Sequence, residues 1–408
     1  MPIPLDKPDS GAPRARAFPT GLVLTGGGAR AAYQVGVLDG VYQILDASRS
    51  AHFTNPFQII CGSSAGAINA AALACRADTP HGAMDRLRAL WENLSTGMVY
   101  RADSLGLVRS GLRWLAMLSV GWLFPGLRNQ NPRSLLNNRP LAELLASTLD
   151  FERLPHNLSQ GYLEALAITA SGYTSGEHLT FYQSHHTIQP WRRVLRRAVP
   201  CTIGVEHLMA SSSIPFVFPA QALPLYGQIE WCGDGSMRQL APLSPAIHLG
   251  ARKIFVIGTG HHDDTHPENR NDRPKYPSLA QIGGQALSNI FIDSLSMDLE
   301  RMGRINELLA HLPPDGIKSQ SLHPVRTLAI TPSRSLDEIA MEHLNEMPHA
   351  ARTLFRVLGV SSGSGPSSGG ALISYLLFEA GYTQALIRLG RADSLSHVEE
   401  IQAFFKEG

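Results

Sequence analysis

Gly62-Ser63-Ser64-Ala65-Gly66 is the segment whose residue types and spacing most directly suggest chemistry. The apolar run 57–61 leads into it and the Ala-rich helical pattern 67–74 follows. Strand, glycine turn and helix in that order put Ser64 at the apex of a sharp elbow. Gly62 and Gly66 let the chain reverse, the hydroxyl is pushed outward, and a helix N-terminus lies beneath it. The Ala65 amide then faces negative charge developing on a group attached to Ser64. Gly and Ser are common in turns, so the pentapeptide gains its meaning from the flanking strand and helix. The chemistry it points to is nucleophilic attack by a serine on an acyl carbon.

A second glycine turn is built the same way. The buried-strand pattern 21–25 runs into Gly26-Gly27-Gly28-Ala29-Arg30, and Val35, Leu38 and Tyr42 then keep helical spacing. Successive glycines leave no Cβ between an anion and the backbone N–H groups. A dinucleotide site would want a glycine where Ala31 stands and an acidic residue after the next strand, but that strand delivers Ser64. A phosphate loop would end in Gly-Lys-Ser/Thr, which is absent. The favoured reading is an oxyanion hole in which the Gly27 and Gly28 amides, aided by Ala65, hold a tetrahedral oxygen.

The serine needs a base. Glu230-Trp231-Cys232-Gly233-Asp234-Gly235-Ser236 sets Asp234 in a glycine turn after a short strand-like segment. Taken alone this is an ordinary Asp-Gly turn. It gains weight beside Ala210-Ser211-Ser212-Ser213-Ile214-Pro215-Phe216-Val217-Phe218-Pro219 just upstream.

The elements that must position these residues recur along the chain. Strand patterns at 21–25, 57–61, 163–170, 253–258 and 325–330 are separated by helical stretches, including 85–94 and 140–149. Alternation of that kind predicts a mostly parallel sheet covered on both faces. Beyond Thr331 the pattern is helical, at 335–344, 350–358, 371–389 and 395–405, interrupted by the Ser- and Gly-rich stretch 361–370, which reads as a linker. The 408 residues allow one large core or two domains. A net charge of +1 offers no argument for nucleic acid or for electrostatic attraction to membranes. The four cysteines show no C-x-x-C spacing and read as buried free thiols, as in a reducing compartment. Residues 1–18 lack an apolar signal region and read as a flexible tail. The Leu-rich stretch 105–127 carries Trp114, Trp122, Arg109 and Arg113. Its uncharged part is shorter than the about 20 residues of a spanning helix, so it is expected either in the core or as an interfacial segment near a lipid site.

Taken together, Gly26 to Arg30, Gly62 to Gly66, the A-S-x-x-I-P-x-x-F-P stretch Ala210 to Pro219, and Asp234-Gly235 resemble the patatin-like phospholipases over roughly residues 20–250. Residues 289–295 and 375–378 are more loosely similar to bacterial members with a C-terminal extension. Ala31 and Ser236 depart from the usual pattern, both with small side chains. The resemblance implies an α/β fold, with a mostly parallel sheet flanked by helices and an α-rich C-terminal extension. It also implies a Ser–Asp dyad: Ser64 the nucleophile, Asp234 the base, and Gly26, Gly27, Gly28 and Arg30 the oxyanion region.

An aspartate with a pKa of about 3.9 is a poor base for a serine hydroxyl in water. Burial that raises this value, and an oxyanion hole that removes the charge cost, would make it adequate. The expected function is hydrolysis of phospholipid or lysophospholipid esters with no cofactor or metal. The 16 histidines show no H-E-x-x-H spacing. The expected organisation is a tail at 1–18, a catalytic core at 19–260 and an α-rich extension at 261–408. The expected location is cytoplasmic with peripheral membrane contact, and no nucleic-acid partner. The rival readings are a Ser–Asp–His triad using His261 or His262, a nucleotide-binding regulator, and an idle lipid-binding adaptor; Ser64 and Asp234 together argue against the last.

Overall fold

Runs that are apolar on both faces, such as Thr20–Leu24 and Lys253–Ile257, are stable only inside a sheet with helices above and below. The computed structural model describes residues 18–48, 54–101, 134–237, 239–260, 293–313, 322–357 and 370–406. Its strands are β1 (Thr20–Leu24), β2 (Ile59–Ser63), β3 (Ala165–Gly172), β4 (His178–Ser184), β5 (Arg192–Arg193), β6 (Arg196–Pro200), β7 (Gln221–Leu225), β8 (Gln228–Gly233), β9 (Lys253–Ile257) and β10 (Arg326–Ile330). They form one ten-stranded sheet in the order β10-β9-β1-β2-β3-β4-β6-β5, with β8 added to the end of β3 and β7 to β8.

From β10 to β3 every pairing is parallel. Beyond β3 the sheet turns mixed, with β4 and β8 both antiparallel to β3. The chain lays β2 and β3 on one side of β1, then returns to place β9 and β10 on the other. Connections therefore diverge between β1 and β9, the kind of crevice where open α/β sheets bind ligands beyond the carboxyl ends of their strands.

Side-chain alternation sorts the sheet into two cores. Leu22, Leu24, Ile60, Leu166, Phe255 and Ile257 face α1 (Ala32–Ser48), α2 (Ala65–Ala74), α3 (Pro80–Glu92) and the C-terminal helices. Val23, Ile59, Cys61, Ile254 and Val256 face the Ser244–His248 and Asp293–Ala310 helices on the other side. The C-terminal part is built into this plan. Helix Ala380–Ser396 lies along α1 so closely that a Cβ on Gly36 would sit 2.0 Å from the Ile387 carbonyl oxygen, and β10 pairs in full register with β9. The expected boundary at 260 thus falls within one continuous sheet.

The parallel strands lie within two residues of their predicted positions. Of the mixed flank 178–233, only the segment before Asp234 is expected from the sequence. The flank's strands mix polar and apolar residues, as in β4 (HLTFYQS) and β6 with Arg196 and Arg197, so no clean alternation betrays them. The predicted helix 371–389 is two helices, Gly370–Leu376 and Ala380–Ser396, separated at Leu377 to Glu379. The stretch 105–127 lies outside the described residues. Among the described residues no helix is long and apolar enough to cross a membrane.

Candidate active site

β2 ends at Ser63, Ser64 turns with φ 52° and ψ −129°, and α2 begins at Ala65. A non-glycine residue there is strained by roughly 1–2 kcal/mol, and its neighbours must give it room. A Cβ on Gly66 would lie 2.5 Å from the carbonyl oxygens of Leu24 and Thr25, and one on Gly62 would lie 2.5 Å from that of Gly66. Both glycines of the pentapeptide are therefore dictated by close backbone approach. The Ser64 amide donates to Ser211 Oγ at 2.8 Å, which ties the elbow to the end of helix Val205–Ser211. Ser63 is committed elsewhere, its hydroxyl 2.6 Å from Thr169 Oγ1 and donating to Gln239 Oε1 at 3.0 Å.

Asp234 follows β8, whose last residue, Gly233, pairs with Ser171 near the carboxyl end of β3. Backbone bonds hold the turn on the Ser211–Ser213 segment: the Asp234 amide donates to Ser213 O and the Gly235 amide to Ser211 O, each at 3.0 Å. His178 Nε2 lies 2.9 Å from Gly235 O. A carbonyl can only accept, so that nitrogen carries the proton, and burial lowers the ring's pKa to about 4, leaving it neutral. The Asp234 carboxylate accepts from the Ser236 amide at 2.8 Å through Oδ1 and from the Ser64 hydroxyl at 2.6 Å through Oδ2. It is fully buried, and desolvation lifts its pKa to about 6 against the opposing hydrogen bonds from Ser64 and Ser236.

The glycine loop closes the other side. Thr259, just past β9, donates to Gly26 O at 2.7 Å, across the crevice where the connections diverge. Gly28 has φ 55°, and a Cβ there would lie 2.2 Å from Tyr375 O. The amides of Gly27, Gly28 and Ala65 have no hydrogen-bond partner among the described residues. Beneath the loop, the Gln34 amide donates to Thr25 O at 2.7 Å, while Asn69 donates to Ala31 O and Gln34 Oε1 and accepts from Trp91 Nε1.

Arg30, expected in the oxyanion region, is directed elsewhere. Its amide is used by Gly27 O at 3.1 Å. Its buried guanidinium donates to Ser374 Oγ at 2.8 Å, pairs with Asp337 and lies 4.0 Å above the Tyr375 ring. Tyr375 and Asp337 raise its pKa against the lowering effect of burial, so the cation is retained. The arginine joins the glycine loop to the Leu336–Glu342 and Gly370–Leu376 helices. Nothing in the local pattern G-G-G-A-R announces those distant partners.

A narrow apolar cavity of about 40 Å³ opens beside Ser64 and Gly28, walled by Trp91, Leu145, Ile214, Phe218 and Phe378 among others. Phe378 comes from the break in the predicted 371–389 helix, which aims it into the cavity. An apolar cavity with the Ser64 hydroxyl and the Gly28 and Ala65 amides at one end suits an acyl chain rather than a polar ligand. Among the described residues no group of three His, Cys, Asp or Glu side chains is placed to hold a metal ion. His261 and His262 lie outside the described residues.

The family model for patatin-like phospholipases matches residues 22–247, just over half of the chain. No curated protein matches. Among solved structures, VipD from Legionella pneumophila aligns at 11% identity and a TM-score of 0.38, covering 94% of this chain and 67% of its own. The type III effector protein ExoU aligns at 14% identity and a TM-score of 0.32 over 95% of this chain; this chain spans about half of ExoU, 54%. From the family match over residues 22–247, which takes in the elbow, the glycine loop and Asp234, the chain belongs to the patatin-like phospholipase family and is a lipid acyl hydrolase.

Proposed function

We propose that the protein hydrolyses phospholipid or lysophospholipid esters with Ser64 as nucleophile and Asp234 as its base. The observation that carries this reading is the 2.6 Å contact between the two side chains at the end of an apolar cavity, with the carboxyl pKa at about 6. Ser64 Oγ attacks the acyl carbon as its proton passes to Asp234 Oδ2. The carbonyl oxygen, now negative, is held by the Gly27, Gly28 and Ala65 amides while the chain lies in the cavity. Collapse of the tetrahedral species breaks the ester bond, and the departing alkoxide takes the proton from Asp234. Water then attacks the acyl-enzyme, gives a proton to Asp234, and Ser64 leaves with it as the fatty acid is released.

A carboxylate that starts near 6 is a far better proton acceptor than one near 3.9, and the amides supply the remainder, about 2.7–4 kcal/mol for each donor. In this reading residues 19–260 form the catalytic core. Residues 261–408 form an extension that completes the sheet with β10, braces the glycine loop through Asp337 and Ser374, and supplies Phe378 to the acyl cavity. The protein works at the membrane periphery, where its substrates are. The test is release of labelled fatty acid from phosphatidylcholine and lysophosphatidylcholine by the purified protein, alongside labelling by a fluorophosphonate. The reading predicts both activities in the parent and neither in Ser64→Ala; release that persists in the variant would overturn it.

A further inference from the structure

At one corner of the sheet three turns expose large apolar residues. Val194 and Leu195 form the β5–β6 turn, Tyr226 begins the β7–β8 turn, and Ile229, Trp231 and Tyr173 stand nearby on β8 and after β3. Val194 is 87% exposed, Tyr226 67%, Leu195 56% and Trp231 47%. The turns hold one another. The Tyr173 amide donates to Trp231 O at 2.7 Å, the His178 amide to Leu195 O at 2.7 Å, and the Arg197 guanidinium lies 5.6 Å from the Tyr226 ring centroid. Buried Glu230 accepts from the Thr174 and Ser175 amides, pinning the β3–β4 turn to β8.

Two of these residues occupy backbone conformations that disfavour them. Leu195 has φ 55° in the two-residue turn between paired Arg193 and Arg196. Tyr226 has φ 50° and Gly227 φ 80° between paired Leu225 and Gln228, a turn that favours Asn-Gly. Asn or Gly would relax both positions, yet each carries a large apolar side chain held out toward solvent. Strain kept where burial gives nothing back marks a surface that acts on something outside the chain.

Charge and position identify that partner. The β5–β6 hairpin holds Arg192, Arg193, Arg196 and Arg197. Glu177 pairs with Arg192 and Arg197, while Arg193 and Arg196 make no ion pair among the described residues. The pairing His178↔Arg196 sets this hairpin at the edge where Ser171 pairs with His178 and Gly233, beside Asp234 and one residue from the level of Ser64. Aromatic and aliphatic tips next to two arginines outside any direct ion pair, of which Arg196 also acts on the Asp298 carboxylate, on the edge that carries the site, suit an anionic phospholipid surface.

We infer that the β5–β6 and β7–β8 tips, with Arg193 and Arg196, dock the protein on an anionic bilayer and present its active-site edge to the lipid. The inference deepens the lipid-hydrolase reading and rests on it for the substrate's presence in that bilayer. The test is co-sedimentation of the full chain with phosphatidylcholine vesicles with and without phosphatidylserine. The double variant Leu195→Gly, Tyr226→Asn relaxes both turns, so its Tm should hold or rise while binding to either vesicle falls about 10-fold. The variant Arg193→Gln, Arg196→Gln should lose about 10-fold on phosphatidylserine vesicles and nothing on phosphatidylcholine alone. Both should hydrolyse a short soluble ester like the parent. A parent that sediments with neither vesicle, as expected if the tips meet a protein, or a double variant that binds like the parent, overturns the docking surface. Loss of soluble-ester hydrolysis by the parent would instead count against the hydrolase reading.

Discussion

Adjacent parallel strands β1 and β2 each end in a left-handed turn, and the two turns use the same backbone problem for opposite purposes. Gly28 sits at φ 55° and Ser64 at φ 52°. At Gly28 the absence of a side chain leaves amides bare, with Tyr375 O filling the space a Cβ would need. At Ser64 the side chain is kept, at a cost in strain, and placed 2.6 Å from a buried carboxylate. In the proposed mechanism one turn would supply donors for a developing anion and the other the atom that creates it. A strained polar residue is informative when its unstrained counterpart lies one strand away.

The comparison is broken most severely by removing the reacting groups. Ser64→Ala and Asp234→Asn should each lower kcat on a soluble ester by about 10⁴-fold or more, as for nucleophile and base in comparable machinery. Residual turnover within 10-fold of the parent in either would remove that residue from the chemistry. Gly28→Val should cost about 10²–10³-fold in kcat through the oxyanion donors. It should also lower the Tm, because its Cβ meets Tyr375 O at 2.2 Å at a positive φ. A stable and fully active variant would show that the loop does not face the substrate oxygen.

A smaller effect sharpens the role of Arg30. Asp337→Asn removes the carboxylate that pairs with the guanidinium but leaves an acceptor for it. We expect kcat to fall about 10-fold with KM little changed, and stability to fall by about 1–2 kcal/mol, the lower part of the range for a charged hydrogen bond because Asp337 is over one-third exposed. An unchanged kcat with lowered Tm would make the contact purely structural. Smaller still, Ser64→Gly should be more stable than Ser64→Ala by about 1 kcal/mol, since glycine relieves the turn. Equal melting temperatures would mean that the elbow stores no strain. Replacing His261 and His262 together by Ala should leave most activity in place; its collapse at unchanged Tm would favour a triad.

The elbow and glycine loop were legible because each is encoded by contiguous residues whose purpose is local: an apolar run, glycines where backbones nearly touch, and a helix start. Asp234 was legible only in company, since its turn is ordinary and its importance comes from Ser64 lying across the sheet. Ser211 was visible only as part of the Ala210 to Pro219 motif, and His178 and Thr259 gave no signal, because each acts through a hydrogen bond to a segment far away in the chain. Arg30 was expected in the oxyanion region with no partner named, and its charge is answered by Asp337 and Ser374 over 300 residues later. The mixed flank 178–233 and the break before Phe378 were hidden for a related reason, since packing there overrides the local pattern.

In the proposed mechanism, where Asp234 is the base, it also links activity and stability with opposite signs. Its pKa is raised from 3.8 to about 6 by burial, so the folded chain holds this proton more tightly than the unfolded one. That contribution, of order 3 kcal/mol, is fully present below about pH 4 and is lost as pH rises through about 6, over the same interval in which the base becomes active. The most direct test of the account is the rate of fluorophosphonate labelling against pH, with the modified residue mapped by mass spectrometry. The account predicts an adduct on Ser64 whose formation rises through about pH 6 and is abolished in Asp234→Asn. An adduct on another serine, or a labelling rate indifferent to pH across that interval and to Asp234→Asn, would contradict it.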